Sequence, residues 1–263
     1  MDIFSIILEI LLNKEVCMIF DQVLNTFEHD DIKGFATMLI NSAPDYWHHV
    51  PASSTGKYHP SYSLGEGGLV RHTIAVVRLL NHMFGVESIA NQFTSRERDL
   101  LRVAAIAHDM QKSGTQSDYE KSKYTKFDHP LRIAKIIRNF VGVVDLPDDE
   151  IELIAHAVES HMGQWNEDKR SPGVILPKPE GKHQIILHLA DYLASRKDIE
   201  LLFDDEIPVS EPEPLPDINT WKFDFGKYKG HTIPQVMAMD PGYIEWARKN
   251  MEREPARTLL KQI

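Results

Sequence analysis

The sequence predicts a mainly α fold: a helical bundle followed by a small C-terminal α+β module. Three observations carry that expectation. Apolar residues recur at the three- and four-residue intervals of one helix face through most of the chain before residue 203. Strand-type alternation is almost absent before residue 220. Between 204 and 220 the chain changes character, with Pro208, Pro212, Pro214 and Pro216 set among acidic residues. That composition favours a solvated, semi-extended linker, so it separates a body over 1–203 from a module over 221–263.

The elements follow in order. Ile6, Ile10, Ile19, Val23, Leu24 and Phe27 give helical spacing from Met1 towards Leu39. The stretch from Ile3 to Leu12 is apolar but interrupted by Ser5 and Glu9, with Asp2 in place of a basic flank. It makes a poor signal peptide and is too short to span a bilayer, so it reads as a helix for the core or for self-association. Ser42 to Gly68 is rich in Pro, Ser, Gly and Tyr and reads as a long loop, a class that is often functional. Helices are expected over Leu69–Phe84, Ser95–Ala107, Leu131–Phe140, Asp148–Ser160 and Lys182–Leu202. Thr94 or Ser95 is a candidate N-cap with Glu97 in the first turn. In the module, a hairpin turning near Lys229-Gly230 precedes one or two helices.

Composition narrows the function. The chain has 263 residues and a formal net charge of −10, which is unlike a general nucleic-acid coat protein. Residues 221–263 are net +3, so the preceding chain is −13, and the two parts are expected to have different partners. Cys17 is the single cysteine, which excludes an intramolecular disulfide or a Cys-X-X-Cys site and fits a cytoplasmic setting.

The chemistry concentrates in histidines and aspartates: His72, His108-Asp109, His129, His156, His161 and Asp191. His108-Asp109 closes the apolar run RVAAIAHDM, and Asp191 closes IILHLAD. A carboxylate buried at such a position costs several kcal/mol unless something pairs with it, and a metal is a natural compensator. Nitrogen and carboxylate donors together suit Mn²⁺, Fe²⁺, Co²⁺, Ni²⁺ or Zn²⁺, with Mg²⁺ where oxygens dominate. His29, His48, His49, His82 and His231 read as surface or packing residues.

The ordered pattern H…HD…D, with GGLVRHT around His72, HDMQK, SHMG, SPGVILPKPE and LHLAD, resembles the HD phosphohydrolase superfamily. It is most similar to the HD domain of bacterial 3′→5′ exoribonucleases, over 59–196. The resemblance implies an all-helical HD bundle holding one or two divalent metals. His72, His108, Asp109 and Asp191 would be the basic ligands, Asp109 bridging, with His129, His156 and His161 completing a two-metal set. His156 and His161 lie about 140° apart on a regular helix, so both reach one site only if the helix ends near Ser160. Met162 stands where that branch tends to have a second His, and no OB-fold-like segment precedes residue 59, so processive RNA degradation is not expected.

The implied reaction is attack on phosphorus by a metal-activated hydroxide, catalysed around Asp109, with Lys112 as cationic partner. A solvated lysine at a helix end is the competing reading of Lys112. Lys57, His59 and Arg196 are substrate-binding candidates. The expected function is a phosphohydrolase or phosphodiesterase acting on nucleic-acid ends or nucleotides, with no membrane partner. A (deoxy)nucleotide triphosphohydrolase, a nucleotidase, a cyclic-nucleotide phosphodiesterase and a silent nucleic-acid-binding regulator remain alternatives. In the tail, FGKYKG and DPGYIEWA resemble the C-terminal domain of exonuclease X-like proteins. Lys227, Tyr228 and Lys229 are its candidate contacts to single-stranded nucleic acid, although its aromatics equally suit a small core.

Overall fold

The computed structural model describes residues 20–53, 59–203, 216–251 and 255–263. The protein is mainly α and divides into two compact units: 20–52 with 59–203, and a smaller one from 216 onward. The N-terminal stretch up to Ile19, with Cys17, and most of the Pro-rich linker lie outside the described residues.

The larger unit contains α1 (Asp30–Ser42), α2 (Gly68–Phe84), α3 (Glu87–Ala90), α4 (Ser95–Ala107), α5 (Gln116–Lys121), α6 (His129–Arg138), α7 (Asp148–Glu159) and α8 (Lys182–Ala194). Helix α4 is the axis of the bundle and packs against α1, α2, α7 and α8, while α6 lies along α7. Its sequence explains that position. Leu100 to Ala107 are buried without a break, and apart from Arg102, which pairs with buried Asp99, their small or branched side chains let four neighbours approach closely. The helix starts where expected, with the Thr94 hydroxyl accepting from the Glu97 N–H and the Glu97 carboxylate accepting from the Thr94 N–H.

Helix α2 is buried from Gly68 to Val77. Its start is clamped by the preceding loop: buried Arg71 donates from Nε to Tyr62 O at 2.5 Å and from Nη2 to Leu64 O at 2.8 Å. Gly68 is required there, because a Cβ would sit 2.4 Å from Ser63 O. Helix α8 stops at Ala194, well before the expected Leu202. The polar run Ser195 to Asp198 turns the chain, and Phe203 then returns to pack on Tyr62. The short helices α3 and α5 have no counterpart in the sequence reading.

The smaller unit holds α9 (Ile233–Met239), α10 (Pro241–Asn250) and α11 (Ala256–Leu260) around Phe223, Ile233, Val236, Ile244 and Leu260. The expected hairpin contracts to one bridge, Lys222 with Thr232, and no strand forms among the described residues. Gly226 and Gly230, both at positive φ, fold the intervening residues too tightly for a ladder. No helix among the described residues is long and apolar enough to cross a membrane.

Candidate metal centre

Six side chains meet at the middle of the bundle. His72 comes from α2, His108 and Asp109 from the turn after α4, His129 from the first residue of α6, His161 from just beyond α7, and Asp191 from α8. All but Asp191 are buried, and Asp191 is half-buried at the rim.

The two oxygens of Asp109 divide the group. On one side, His108 Nε2 is 3.5 Å and His72 Nε2 3.9 Å from Oδ2, with Asp191 Oδ1 3.1 Å from His72 Nε2 and 3.7 Å from His108 Nε2. On the other side, His129 Nε2 is 3.0 Å and His161 Nε2 3.8 Å from Oδ1. Either set, His72–His108–Asp109 or Asp109–His129–His161, is close enough to share one ion.

The donor set fits divalent metals for a reason internal to the fold. His108, His129 and His161 each bond Nδ1 to the carbonyl three residues back: Ala105 at 2.7 Å, Lys126 at 2.7 Å and Val158 at 2.8 Å. A carbonyl can only accept, so each Nδ1 carries the proton and each Nε2 turns a lone pair inward. Two of these nitrogens then face one another, His129 to His161 at 3.3 Å, and His108 Nε2 faces His72 Nε2 at 3.4 Å. Opposed lone pairs repel unless a cation stands between them. Burial holds the His108 imidazole below its ordinary pKa, and burial with neighbouring His108 and His129 takes His161 down to about 3, so neither of these two rings favours a second proton near neutrality. Burial opposes ionisation of Asp109 and Asp191, yet Lys112 and His108 hold Asp109 well below the carboxylate range, and His72 and His108 do the same for Asp191. Neutral imidazoles and ionised carboxylates are what Mn²⁺, Fe²⁺, Co²⁺, Ni²⁺ or Zn²⁺ need.

His156 is not brought to this centre. Helical periodicity buries Ile154, Ala155 and Val158 and leaves the His156 side chain 60 % exposed, between Glu152 at 3.5 Å and Glu159 at 3.4 Å. The expected helix end does occur, at Glu159, but it frees His161 alone. After Ser160 the chain turns through Gly163 at φ +57, and His188 Nδ1 donates to His161 O at 2.7 Å.

A cleft of about 490 Å³ opens over the centre, with Asp109, Lys112, His161 and Asp191 in its floor and His59 and Arg196 in its wall. Lys112 Nζ donates to Asp109 Oδ2 at 2.5 Å. The His59 ring lies 6.0 Å from that of His72, and burial, reinforced by His72 and Lys112, lowers its pKa to about 3. Lys57 lies outside the described residues. Arg71, the residue before His72, is turned away from the cleft as the buried loop clamp on α2. Sequence reasoning missed Tyr46, whose hydroxyl donates to Gly114 O at 2.7 Å and accepts from Ser113 N at 3.1 Å, bracing the turn that carries Asp109 and Lys112. It also missed His188, Trp165 and Tyr192; the only available signal was their nearness in sequence to His161 and Asp191.

Residues 70–196 match the family model for the HD domain. Every residue of the candidate centre falls inside that match. Residues 223–252 match the exodeoxyribonuclease X-like C-terminal domain, beyond the HD domain. No match was found among curated proteins or among solved structures. The two family matches support a metal-dependent phosphohydrolase in general.

In the exodeoxyribonuclease X-like module, two of the three expected contact residues are engaged internally. Lys227 Nζ reaches Asp240 Oδ2 at 3.1 Å, and the Tyr228 hydroxyl donates to the same oxygen at 2.7 Å while its ring packs on Tyr243. Asp240 in turn caps α10. Lys229 is exposed at the turn.

Proposed function

We propose that the protein is a metal-dependent phosphodiesterase acting on nucleotides or nucleic-acid ends. The observation that carries this reading is the division of the Asp109 oxygens between two sets of inward-turned imidazoles, at the floor of an open cleft. His72, His108, Asp109 and Asp191 would hold one metal, and Asp109, His129 and His161 a second. Bound there, divalent metal supplies a more acidic water and a positive field for phosphoryl oxygens.

The rest falls to the chain's own groups. The i−3 carbonyl bonds fix His108, His129 and His161 in the tautomer that points an Nε2 lone pair at the centre. Asp109 stays ionised because Lys112 and the surrounding imidazoles face it. Lys112 spends one N–H on Asp109 and offers its remaining donors to the cleft, where negative charge gathers on the equatorial oxygens during phosphoryl transfer. His59, neutral and half-buried, lines the cleft beside His72, and its buried Nδ1 has no protein partner.

Product chromatography tests the reading. With Mn²⁺ supplied, single-stranded DNA and RNA, (deoxy)nucleotides and cyclic nucleotides are compared for wild type and Asp109→Ala. Mononucleotides released from strands, or nucleotides hydrolysed by wild type alone, support it. Equal turnover by Asp109→Ala refutes it.

A further inference from the structure

The cleft wall also holds a feature that metal chemistry does not need. Trp165 and Tyr192 lie nearly parallel, ring centroids 5.9 Å apart and planes 14° from one another. The Arg196 guanidinium sits over them, 4.5 Å from the Tyr192 centroid and 6.0 Å from that of Trp165. All three line the same cleft as Asp109, Lys112 and Asp191. Trp165 remains 46 % exposed, an unusual place to leave an indole face. Arg196 Nε is buried with no protein partner.

The chain delivers this wall with the same two segments that deliver metal ligands. Trp165 follows His161 by four residues through the Gly163 turn, with its N–H bonded to Met162 O. Tyr192 is the residue after Asp191, and Arg196 lies just past the end of α8. The aromatic faces are therefore fixed relative to the carboxylates, and the reach from one to the other is set within a single cleft of about 490 Å³.

We propose that Trp165, Tyr192 and Arg196 form a base-stacking wall that holds the nucleobase attached to the scissile phosphate. The inference rests on the phosphodiesterase reading and names what its site recognises: an unpaired base joined through its sugar to a phosphoester. A base inside a duplex has both faces covered by its neighbours and cannot lie against such a wall, so the substrate is a free nucleotide or a single-strand end. What the wall offers a base is ring faces, and stacking on them is tolerant of base identity. Arg196 adds a cation to the ring faces and, through Nε, a donor for a sugar or phosphate oxygen.

Fluorescence titration of the full chain with Mg²⁺ present tests the wall apart from turnover. The probes are short phosphorothioate single strands of DNA and RNA, the same strands made abasic at either end, mononucleotides, and inorganic phosphate. Base-bearing probes should quench tryptophan emission and phosphate should not. Trp165→Ala should abolish the quench and weaken binding roughly 5- to 150-fold, the value of one lost stacking contact. Trp165→Phe, which keeps a ring, should recover most of the affinity, with unchanged melting in both variants as the folding control. Tighter binding of strands than of mononucleotides assigns the strand end as the source of the base, and the reverse assigns the free nucleotide. Unchanged affinity in Trp165→Ala, or equal binding of abasic strands, overturns the proposal. Quenching by base-bearing probes without turnover of any substrate leaves the wall standing and removes the phosphodiesterase reading; turnover indifferent to Trp165→Ala does the opposite.

Discussion

Replacing Gly163 by alanine should weaken both the body of the protein and its metal centre. Gly163 has φ +57, and a Cβ there would lie 2.1 Å from His188 Cε1 and 2.3 Å from His188 Nε2. Two costs follow. An L-residue in the left-handed region costs about 1–2 kcal/mol. The His188 ring must also move, which breaks its bond to His161 O and forfeits about 0.5–1.5 kcal/mol. Together these come to about 1.5–3.5 kcal/mol, or about 3–14 °C of melting temperature for a domain of this size. Because the displaced ring braces the backbone of His161, metal affinity should fall about 10- to 100-fold, as when an outer-shell partner is lost. Thermal melts with and without Mn²⁺ measure both effects. Gly163→Ala/His188→Ala closes a double-mutant cycle and should be less destabilised than the sum of its single changes, since the clash disappears with the ring. A Gly163→Ala protein that melts within about 2 °C of wild type and binds Mn²⁺ unchanged would refute the reasoning.

Other predictions concern the ligands, the cap and the brace. Saturating Mn²⁺ at about 100 times its dissociation constant should stabilise wild type by about 2.7 kcal/mol; His161→Ala and His129→Ala should lose most of that gain and His156→Ala none of it, as read by melts with and without chelator. Glu97 is opposed by burial, but Lys182, His183 and the Thr94 N–H bring its pKa down from 4.5 to about 2. Its contribution is therefore complete above about pH 4.5 and is lost as pH falls towards 2. Glu97→Gln should cost about 1 kcal/mol at neutral pH, and the gap from wild type should close across that acid window in urea titrations at stepped pH. Tyr46→Phe leaves the Ser113 N–H and the Gly114 carbonyl without their partner and should cost about 1–3 kcal/mol in equilibrium unfolding.

Helical spacing located α2, α4, α6 and α7 to within a residue or two, because each has one continuous buried stripe. It failed where apolarity outlasted the helix: Leu201 and Phe203 extend the pattern of α8, but they pack from an irregular segment after Ser195 ends the helix. His72, His108, Asp109 and Asp191 could be read from motif order, since each lies in a distinctive apolar context. His156 and His161 could not be separated by counting. Which of them turns inward depends on where α7 stops and on the left-handed turn at Gly163, and only packing against His188 fixes that. Tyr46, more than sixty positions from the turn it braces, left no local trace. The C-terminal aromatics gave the core of their module correctly, while the internal pairing of Lys227 and Tyr228 with Asp240 depends on tertiary contacts.

The order in which the chain supplies the six side chains has a consequence for biosynthesis. His72 emerges from the ribosome first and Asp191 last, and these two are direct neighbours at 3.1 Å, 119 positions apart. A nascent or truncated chain that stops before residue 191 has the four imidazoles but lacks the carboxylate that closes the first set, and it lacks the half of the cleft wall that α8 brings. Competence is thus deferred until the larger unit is nearly complete, and any truncation before residue 191 leaves the first set of ligands without Asp191.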